Sequence, residues 1–154
     1  MYFCRKRQFL ICRPWGERNC VMNENLTVPI SEESASQTPA PSLAYLGDSV
    51  LEILVRERLV LAGVKNPSIE SLKYVTAHAQ SDAFAGIEGL LTEAETDVFK
   101  RGRNCVHSGN VPKKATPAQY RRATGLETLF GYLYLTGQSE RIRELFDTAF
   151  NDKV

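Results

Sequence analysis

The stretch "LAYLGDSVLEILVRERLVLAG", residues 43–63, sets the fold class. Its apolar residues recur at spacings of three and four, which predicts an amphipathic helix that ends at Gly63. The stripe is formed by Leu43, Leu46, Val50, Ile53, Leu54 and Leu61. Gly47 and Asp48 interrupt it, since glycine inside a helix costs about 1 kcal/mol relative to alanine and a buried, unpaired carboxylate is costly. We therefore expect another group to approach the backbone at Gly47, and Asp48 to be exposed, paired or bound to a metal.

Three further stretches carry helix signals. Apolar spacing predicts a second helix over residues 69–87. Thr92, followed three residues later by Glu95, forms a capping box and predicts a helix to about residue 101. Thr116 and Pro117 are typical of an N-cap and a first helical position. They begin a helix predicted to reach about residue 136 and to end at Gly137.

A last amphipathic helix, capped by Ser139, completes the predicted architecture. We expect an all-α bundle of about five helices with one core, over residues 42–151. Residues 1–41 are rich in Ser, Pro, Glu and Thr toward their end and are predicted to be a disordered extension. Residues 1–21 are interpreted as lying upstream of a true start at Met22, and an Arg-rich organellar transit peptide is the alternative.

Composition favours a soluble protein without a membrane partner. Of the 154 residues 43% are hydrophobic and 24% charged, and no apolar run approaches the roughly 20 residues of a membrane span. Three of the four cysteines lie in the first twenty residues, which describes neither a disulfide scaffold nor a CxxC metal site. A reducing, cytoplasmic setting is the simpler interpretation.

The net charge of +1 conceals a division along the chain. Residues 1–21 carry five bases and one acid, whereas residues 22–154 carry fourteen bases and seventeen acids. Within this acidic body, residues 98–126 hold no acid and seven bases, namely Lys100, Arg101, Arg103, Lys113, Lys114, Arg121 and Arg122. Such a patch indicates a polyanionic partner, and a solvated charged face is the alternative.

A second acid lies in a setting like that of Asp48. In "RRATGLETLFGYLYL", residues 121–135, Glu127 is placed among apolar residues, with Ala123 and Gly131 one turn to either side. Two helices that lack bulky side chains beside their acids can pack closely enough to bring the carboxylates together.

Like charges held this close need a cation between them, and oxygen ligands favour Mg²⁺ or Mn²⁺. The alternative is that Asp48 and Glu127 are separate acids at helix surfaces, each with a local partner such as Arg56 or Arg122.

Three segments resemble the ribonuclease III family. "LAYLGDSVLEILVRERLV" (residues 43–60) is similar to the signature helix of its catalytic domain, and "RRATGLETLFGYLYLTG" (residues 121–137) is similar to its second acidic motif. "LTEAETDVFKRGRN" (residues 91–104) is similar to Mini-ribonuclease III, the short branch without a double-stranded-RNA-binding domain. The resemblance covers roughly residues 43–147.

The resemblance assigns roles to individual residues. Asp48 matches the signature aspartate and Glu127 the essential glutamate, which implies that both are catalytic and bind the metal. Longer members of the family have two further acids, and Ala44 and Thr124 stand at those positions here. This reduced set is itself similar to the Mini-ribonuclease III branch.

The implied activity is that of a cytoplasmic, Mg²⁺-dependent endoribonuclease, with Mn²⁺ able to substitute, that cuts double-stranded RNA and matures the ends of 23S ribosomal RNA precursor. Cleavage would leave a 5′-phosphate and a 3′-hydroxyl. The residues expected to hold the RNA backbone are Arg101, Arg103, Asn104, Lys113 and Lys114. The family implies a homodimer whose two sites cut opposite strands, and a ribosomal protein as a possible partner that presents the RNA. Leu51 and Leu54 are candidates for the dimer interface, with core packing as the alternative role.

Two other classes of function compete with this one. A noncatalytic RNA-binding or ribosome-assembly module would keep the fold and the basic segment, but it gains nothing from carboxylates that face phosphate. A helical protein-interaction module leaves the acid-free basic segment unexplained.

Overall fold

The computed structural model describes residues 29–105 and 115–151, and all regular structure in these residues is helical, as predicted. The helices are α1 (Glu32–Gln37), α2 (Ala40–Leu61), α3 (Pro67–Glu70), α4 (Leu72–Val75), α5 (Ala77–Ile87), α6 (Glu93–Cys105), α7 (Pro117–Leu135) and α8 (Ser139–Ala149), with a 3₁₀ turn at Glu88–Leu90. Five of them are eleven residues or longer. Within the described part of the chain, none has the length and apolar character needed to cross a bilayer. Residues 1–28, which are predicted to be disordered, lie outside the described residues.

Helix α7 forms the centre of the bundle and packs against α2, α5, α6 and α8. Its inner side chains are completely inaccessible to solvent: Leu126, Leu129, Phe130 and Leu133. Beside them the rings of Phe84 and Phe99 stack in parallel, with centroids 3.7 Å apart. Gly125 of α7 leaves the space that Phe99 fills, since a Cβ there would lie 2.5 Å from the ring.

The predicted helix ends are confirmed where a specific capping interaction marks them. The Thr92 backbone N–H donates to Glu95 Oε2 at 2.8 Å, and the Glu95 N–H donates back to Thr92 Oγ1 at 3.2 Å. Thr116 forms a second capping box at the start of α7. Gly63 and Gly137 follow α2 and α7 with positive φ, the conformation that lets glycine end a helix. Ser139 is the first residue of α8 rather than its cap.

The single helix predicted over residues 69–87 is wrong, because the chain forms three helices there. Ser71 separates the short helices α3 and α4, and Thr76 breaks the run with an extended backbone. The Thr76 hydroxyl accepts a hydrogen bond from the Ala79 N–H at 3.3 Å and so begins α5. An N-cap threonine competes with continued helix at this position, and apolar spacing alone does not reveal it.

Residues 29–41, which were predicted to be disordered, are ordered in the structure, and that part of the prediction is corrected. Ser31 caps α1 by accepting a hydrogen bond from the Ser34 backbone. Ala35 is fully buried, and the Ile30 N–H donates to the Leu135 carbonyl at the end of α7. The Ser-rich composition of this segment therefore led to a prediction of disorder, although the segment contains a capped helix that packs on the bundle.

The apolar stripe of α2 divides between the core and the surface. Leu51 and Leu54 are each only 2% exposed and belong to the core, so the structure contradicts them as surface interface residues. Ile53 and Leu61, which were predicted to belong to the stripe, are 59% and 73% exposed. The helix is thus apolar on more than one side, and its outer apolar side chains face solvent.

Candidate active site

Helices α2 and α7 cross with their backbones in contact, and two glycines make this possible. A Cβ on Gly47 would overlap the backbone carbonyl oxygen of Glu127 and lie 2.7 Å from the Gly131 nitrogen. A Cβ on Gly131 would in turn overlap the carbonyl oxygen of Leu43. The group predicted to approach α2 at Gly47 is therefore the backbone of Glu127 itself. This contact places Asp48, the next residue, beside Glu127.

The two carboxylates interact electrostatically, and neither is neutralised within the described chain. Burial, followed by the negative charge of Asp48, raises the pKa of Glu127 to about 8, although the side-chain amide of Gln80 acts in the opposite direction. Asp48 is more exposed, yet partial burial and the nearby Glu52 raise its pKa as well. Both shifts disfavour the charged forms, as expected for acids that lack a compensating cation.

The local partner proposed as an alternative for Asp48 is engaged elsewhere. Arg56 donates to Glu52 at 2.6 Å, one turn apart on the exposed side of α2. Arg122 is exposed on α7, and the causes of the Glu127 pKa shift do not include it. The arrangement favours two acids in one site over two separately paired acids.

The chemistry of this donor set suits a hard divalent cation. Among the described residues, no three or more His, Cys, Asp or Glu side chains are grouped so that they could hold a metal ion together. Mg²⁺ is commonly held by one or two carboxylates with water completing its coordination, so Asp48 and Glu127 fit it. A cation that faces both acids would favour their ionised forms, which supplies the electrostatic reason for it to bind.

Gln80 is a site residue that the sequence did not single out. It lies on α5, is 2% exposed, and its side-chain amide acts to lower the pKa of Glu127. The signal was available in principle, because Gln80 lies on the buried face that Ala83, Phe84 and Ile87 continue, where an apolar residue is expected. A polar residue on the core side of a helix stands out among apolar neighbours, and its amide favours the ionised form of the second acid.

The predicted RNA-binding residues do not share one environment. Arg103 and Asn104 are exposed on the last turn of α6, with Arg103 Nε 3.4 Å from Asn104 Oδ1. Arg101 is half-buried and donates to the Thr38 carbonyl at 2.7 Å, which ties α6 to the segment before α2. Lys100 pairs with Asp97 at 3.3 Å. Among the described members of the predicted set, Arg103 and Asn104 are therefore more available than Arg101 for an external anion.

Lys113 and Lys114, the other two predicted RNA-binding residues, lie outside the described residues.

Cys105 ends α6 with its thiol 3.0 Å from the Gly102 carbonyl, and burial raises its pKa. A raised thiol pKa is typical of a buried cysteine with low reactivity.

Comparison with known proteins identifies the family. The Ribonuclease III domain model matches residues 41–138. A Mini-ribonuclease 3 from Symbiobacterium thermophilum is 46% identical over 114 residues, which cover 72% of this chain and 87% of that protein. Another, from Thermoanaerobacter sp., is 38% identical over 131 residues, covering 82% of this chain and 89% of the relative.

A solved structure shares the fold of this chain. The crystal structure of a protein from Fusobacterium nucleatum is 26% identical, with a TM-score of 0.68 over 77% of this chain and 96% of that one. The two glycines that bring the acids together, the all-α bundle and these relatives lead to one assignment. The chain belongs to the ribonuclease III family, in its Mini-ribonuclease III branch, and is an endoribonuclease.

Proposed function

We propose that this endoribonuclease cuts double-stranded RNA by Mg²⁺-dependent hydrolysis at the pair formed by Asp48 and Glu127, with Mn²⁺ able to substitute. Action on double-stranded RNA follows from the family. The ends of 23S ribosomal RNA precursor in the cytoplasm are the proposed natural substrate, which a ribosomal protein presents.

The observation that carries the proposal is the uncompensated carboxylate pair. Glu127 lies beside Asp48, and the pKa of Glu127 is raised to about 8. This arrangement lowers the stability of the fold unless a bound ligand offsets the cost. The backbone contact at Gly47 keeps the acids together despite this penalty. A cation bound by both acids removes the repulsion and supplies the reason for the arrangement.

Asp48 and Glu127 are proposed to have different roles in the site. Asp48, on the exposed side of α2, faces the solvent from which the RNA arrives, and Glu127 anchors the inner side of the site. When Mg²⁺ is bound, it lowers the pKa of a water and stabilises charge on the scissile phosphate. Hydrolysis would leave a 5′-phosphate and a 3′-hydroxyl.

The backbone of the RNA is proposed to lie along the end of α6 and the segment that follows. Arg103 and Asn104 are exposed there, and Lys113 and Lys114 follow them in the sequence. A-form RNA offers its phosphates and 2′-hydroxyls across a wide, shallow minor groove, which suits contacts of this kind. Arg101 is proposed to act less directly, since its guanidinium holds Thr38.

A homodimer would place two such sites on opposite strands. The outer face of α2 supports this assembly, because Tyr45, Ile53 and Val60 recur there and are 82%, 59% and 69% exposed. Exposed apolar residues clustered on one face are typical of a protein interface. We expect wild-type protein to sediment as a dimer and Ile53→Asp to sediment as a monomer. Leu90→Asp, at an apolar residue on the 3₁₀ turn, should remain dimeric, and a dimeric Ile53→Asp would place the interface elsewhere.

The catalytic assignment is tested with a labelled RNA duplex, with and without Mg²⁺. Asp48→Asn and Glu127→Gln each remove a metal-binding charge at nearly constant shape, so cleavage should fall below about a tenth of the wild-type rate while RNA affinity and helicity persist. Glu140→Gln, at an exposed acid on α8, is the matched control and should cut normally. Cleavage above that level in either site variant would remove that residue from the catalytic role.

The same assay separates the competing functions. A noncatalytic RNA-binding or ribosome-assembly module would bind the duplex and leave it intact with and without Mg²⁺. A protein-interaction module would not bind it.

A further inference from the structure

We propose that Arg101 is a positioning residue, whose guanidinium fixes the last turn of α6 to the segment before α2 and thereby holds Arg103 in place for the RNA. This inference rests on the proposed path of the RNA along the end of α6 and deepens it. Arg101 acts on the RNA through Arg103 rather than through a phosphate contact of its own.

The last turn of α6 has an inner and an outer face, and Arg101 lies on the inner one. Residues three and four apart share a face of a helix, so Arg101 lies between Val98, which is buried, and Cys105, which is half-buried. Arg103 is about 200° further around the helix axis, at two residues of 100° each, and it is exposed. One arginine therefore faces the protein and the other faces solvent.

The Thr38 carbonyl gives Arg101 a fixed acceptor. Arg101 Nη2 donates to it at 2.7 Å, although the two residues are 63 positions apart in the chain. Thr38 is held at the end of α1, because its own N–H and hydroxyl donate to the carbonyls of Ala35 and Ser34, each at 3.1 Å. The first hydrogen bonds of α2 go to the Pro39 carbonyl, so the Thr38 carbonyl lies before that ladder and accepts from Arg101 instead.

Gly102, the residue after Arg101, explains why this turn needs an anchor. A Cβ on Gly102 would overlap the Thr128 hydroxyl and lie 3.0 Å from the Thr124 carbonyl oxygen, so glycine is what lets α6 approach α7 here. Glycine is also a poor helix former and has no side chain that could hold the turn. Arg101 supplies that hold from the adjacent position.

The two arginines differ in what a phosphate contact would cost them. Arg101 would have to give up a hydrogen bond between a charged donor and a half-buried carbonyl, which is among the stronger kinds in proteins. Arg103 Nε lies 3.4 Å from Asn104 Oδ1 on the exposed surface, a long contact that is easily exchanged for a phosphate. Arg103 is therefore the residue that contacts the RNA, and Arg101 the residue that places it.

The experiment is a double-mutant cycle in the full chain on the affinity for a labelled RNA duplex, measured in a chelator. We expect Arg101→Met and Arg103→Met each to bind about tenfold more weakly, the size of one lost hydrogen bond to a charged group. Because Arg101 acts through Arg103, the double variant should also be only about tenfold weaker. A double variant about a hundredfold weaker would indicate two independent phosphate contacts and overturn the inference.

Hydrogen exchange without RNA gives a second readout. The amides in the last turn of α6 should exchange faster in Arg101→Met and at the wild-type rate in Arg103→Met. Wild-type exchange in Arg101→Met would contradict the inference even if RNA binding is weakened.

Arg58→Met is the matched control, because Arg58 of α2 also donates to a backbone carbonyl, that of Phe150 at the end of α8, at 3.0 Å. It should lower the unfolding temperature and leave RNA affinity unchanged. An equal loss of affinity in Arg58→Met and Arg101→Met would show general destabilisation and overturn the positioning role.

Failure of the inference is distinguishable from failure of the proposed function. If Arg103→Met binds weakly while Arg101→Met binds as wild type does, only the role of Arg101 is lost. If Arg103→Met binds RNA as tightly as wild type, the proposed path of the RNA along α6 is wrong, and the role of Arg101 falls with it.

Discussion

Two glutamates on the core side of the bundle lie in opposite electrostatic environments. Glu95, at the start of α6, is 5% exposed and meets Arg141 of α8 in a bidentate ion pair with distances of 2.8 and 2.9 Å. Burial alone would raise its pKa, but hydrogen bonds from Arg141 and from the Thr92 backbone outweigh it, and the pKa is lowered. Glu127 meets Asp48 and Gln80 instead, and its pKa rises.

The comparison distinguishes Glu95, which stabilises the fold, from Glu127, which is available to bind a ligand. Arg141 also reaches Glu144 and the Leu90 carbonyl, so the Glu95 pair joins α6, α8 and the turn before α6. Every charge in that cluster has a partner within the fold. At Glu127 the described chain supplies a second negative charge and a neutral amide, which leaves the charge to be balanced by a bound cation.

The largest expected effect comes from breaking the satisfied pair. Arg141→Met leaves Glu95 buried without its cation and should lower the free energy of unfolding by about 3–5 kcal/mol. Urea denaturation at pH 7 measures it. Lys100→Met, which breaks the exposed pair with Asp97, is the control and should cost less than about 1 kcal/mol. Equal losses in the two variants would show that burial of Glu95 does not make its pair special.

The next effect comes from separating the two acids of the site. Gly47→Ala drives a methyl group into the Glu127 backbone, so α2 and α7 must shift apart at a cost of about 1–3 kcal/mol, and cleavage should fall with it. Gly86→Ala is the matched control, because nothing lies within 4 Å of a Cβ there and helix propensity should make it stabilising by up to about 1 kcal/mol. A Gly47→Ala variant as stable and active as wild type would disprove the close crossing.

The last pair of effects consists of opposite pH dependences of stability, measured by urea denaturation in a chelator. The folded-state pKa of Glu127 is about 8 and its ordinary value 4.5, so the folded state holds the extra proton between these values and stability falls as pH rises through them. Glu127→Gln should therefore be more stable than wild type at pH 9, by at least the roughly 1.4 kcal/mol equivalent to one pKa unit.

Glu95 should behave in the opposite way. Its folded-state pKa is lowered, so its contribution is present above its ordinary value of 4.5 and is lost as pH falls below it. Glu95→Gln should be less stable than wild type at pH 7, and the gap should narrow by pH 3. Parallel pH profiles for the two variants would remove the contrast between the glutamates.

Much of this architecture follows from local rules that operate within a few residues. The cap at Thr92, the Thr116–Pro117 start of α7 and the glycines after α2 and α7 depend on short-range backbone hydrogen bonds and conformational freedom, and all were predicted correctly. The break at Thr76 and the docking of Ala35 were not, because apolar spacing does not report which competing cap or contact prevails in the folded chain.

The pairing of the acids lies between these cases. Small residues around Asp48 and Glu127 indicated a close approach, and the resemblance to the ribonuclease III family named both acids. Membership of that family is now established by the matching relatives. The roles of Asp48 and Glu127 stay a prediction for the variants to test.

Residue identity in the chain was enough for α2, α7, several helix ends and the family, because capping, spacing and motif order are local properties. The fate of each buried charge required the folded structure. Glu95 belongs to a capping box and Glu127 lies among apolar residues in the sequence, but neither pattern shows whether a cation faces the carboxylate in the fold. Arg141 lies 46 residues beyond Glu95, and Gln80 lies 47 residues before Glu127. Only the packing of α5, α7 and α8 places the Arg141 guanidinium beside Glu95 and the Gln80 amide near Glu127. The energy of a buried charge depends on these nearest neighbours in space.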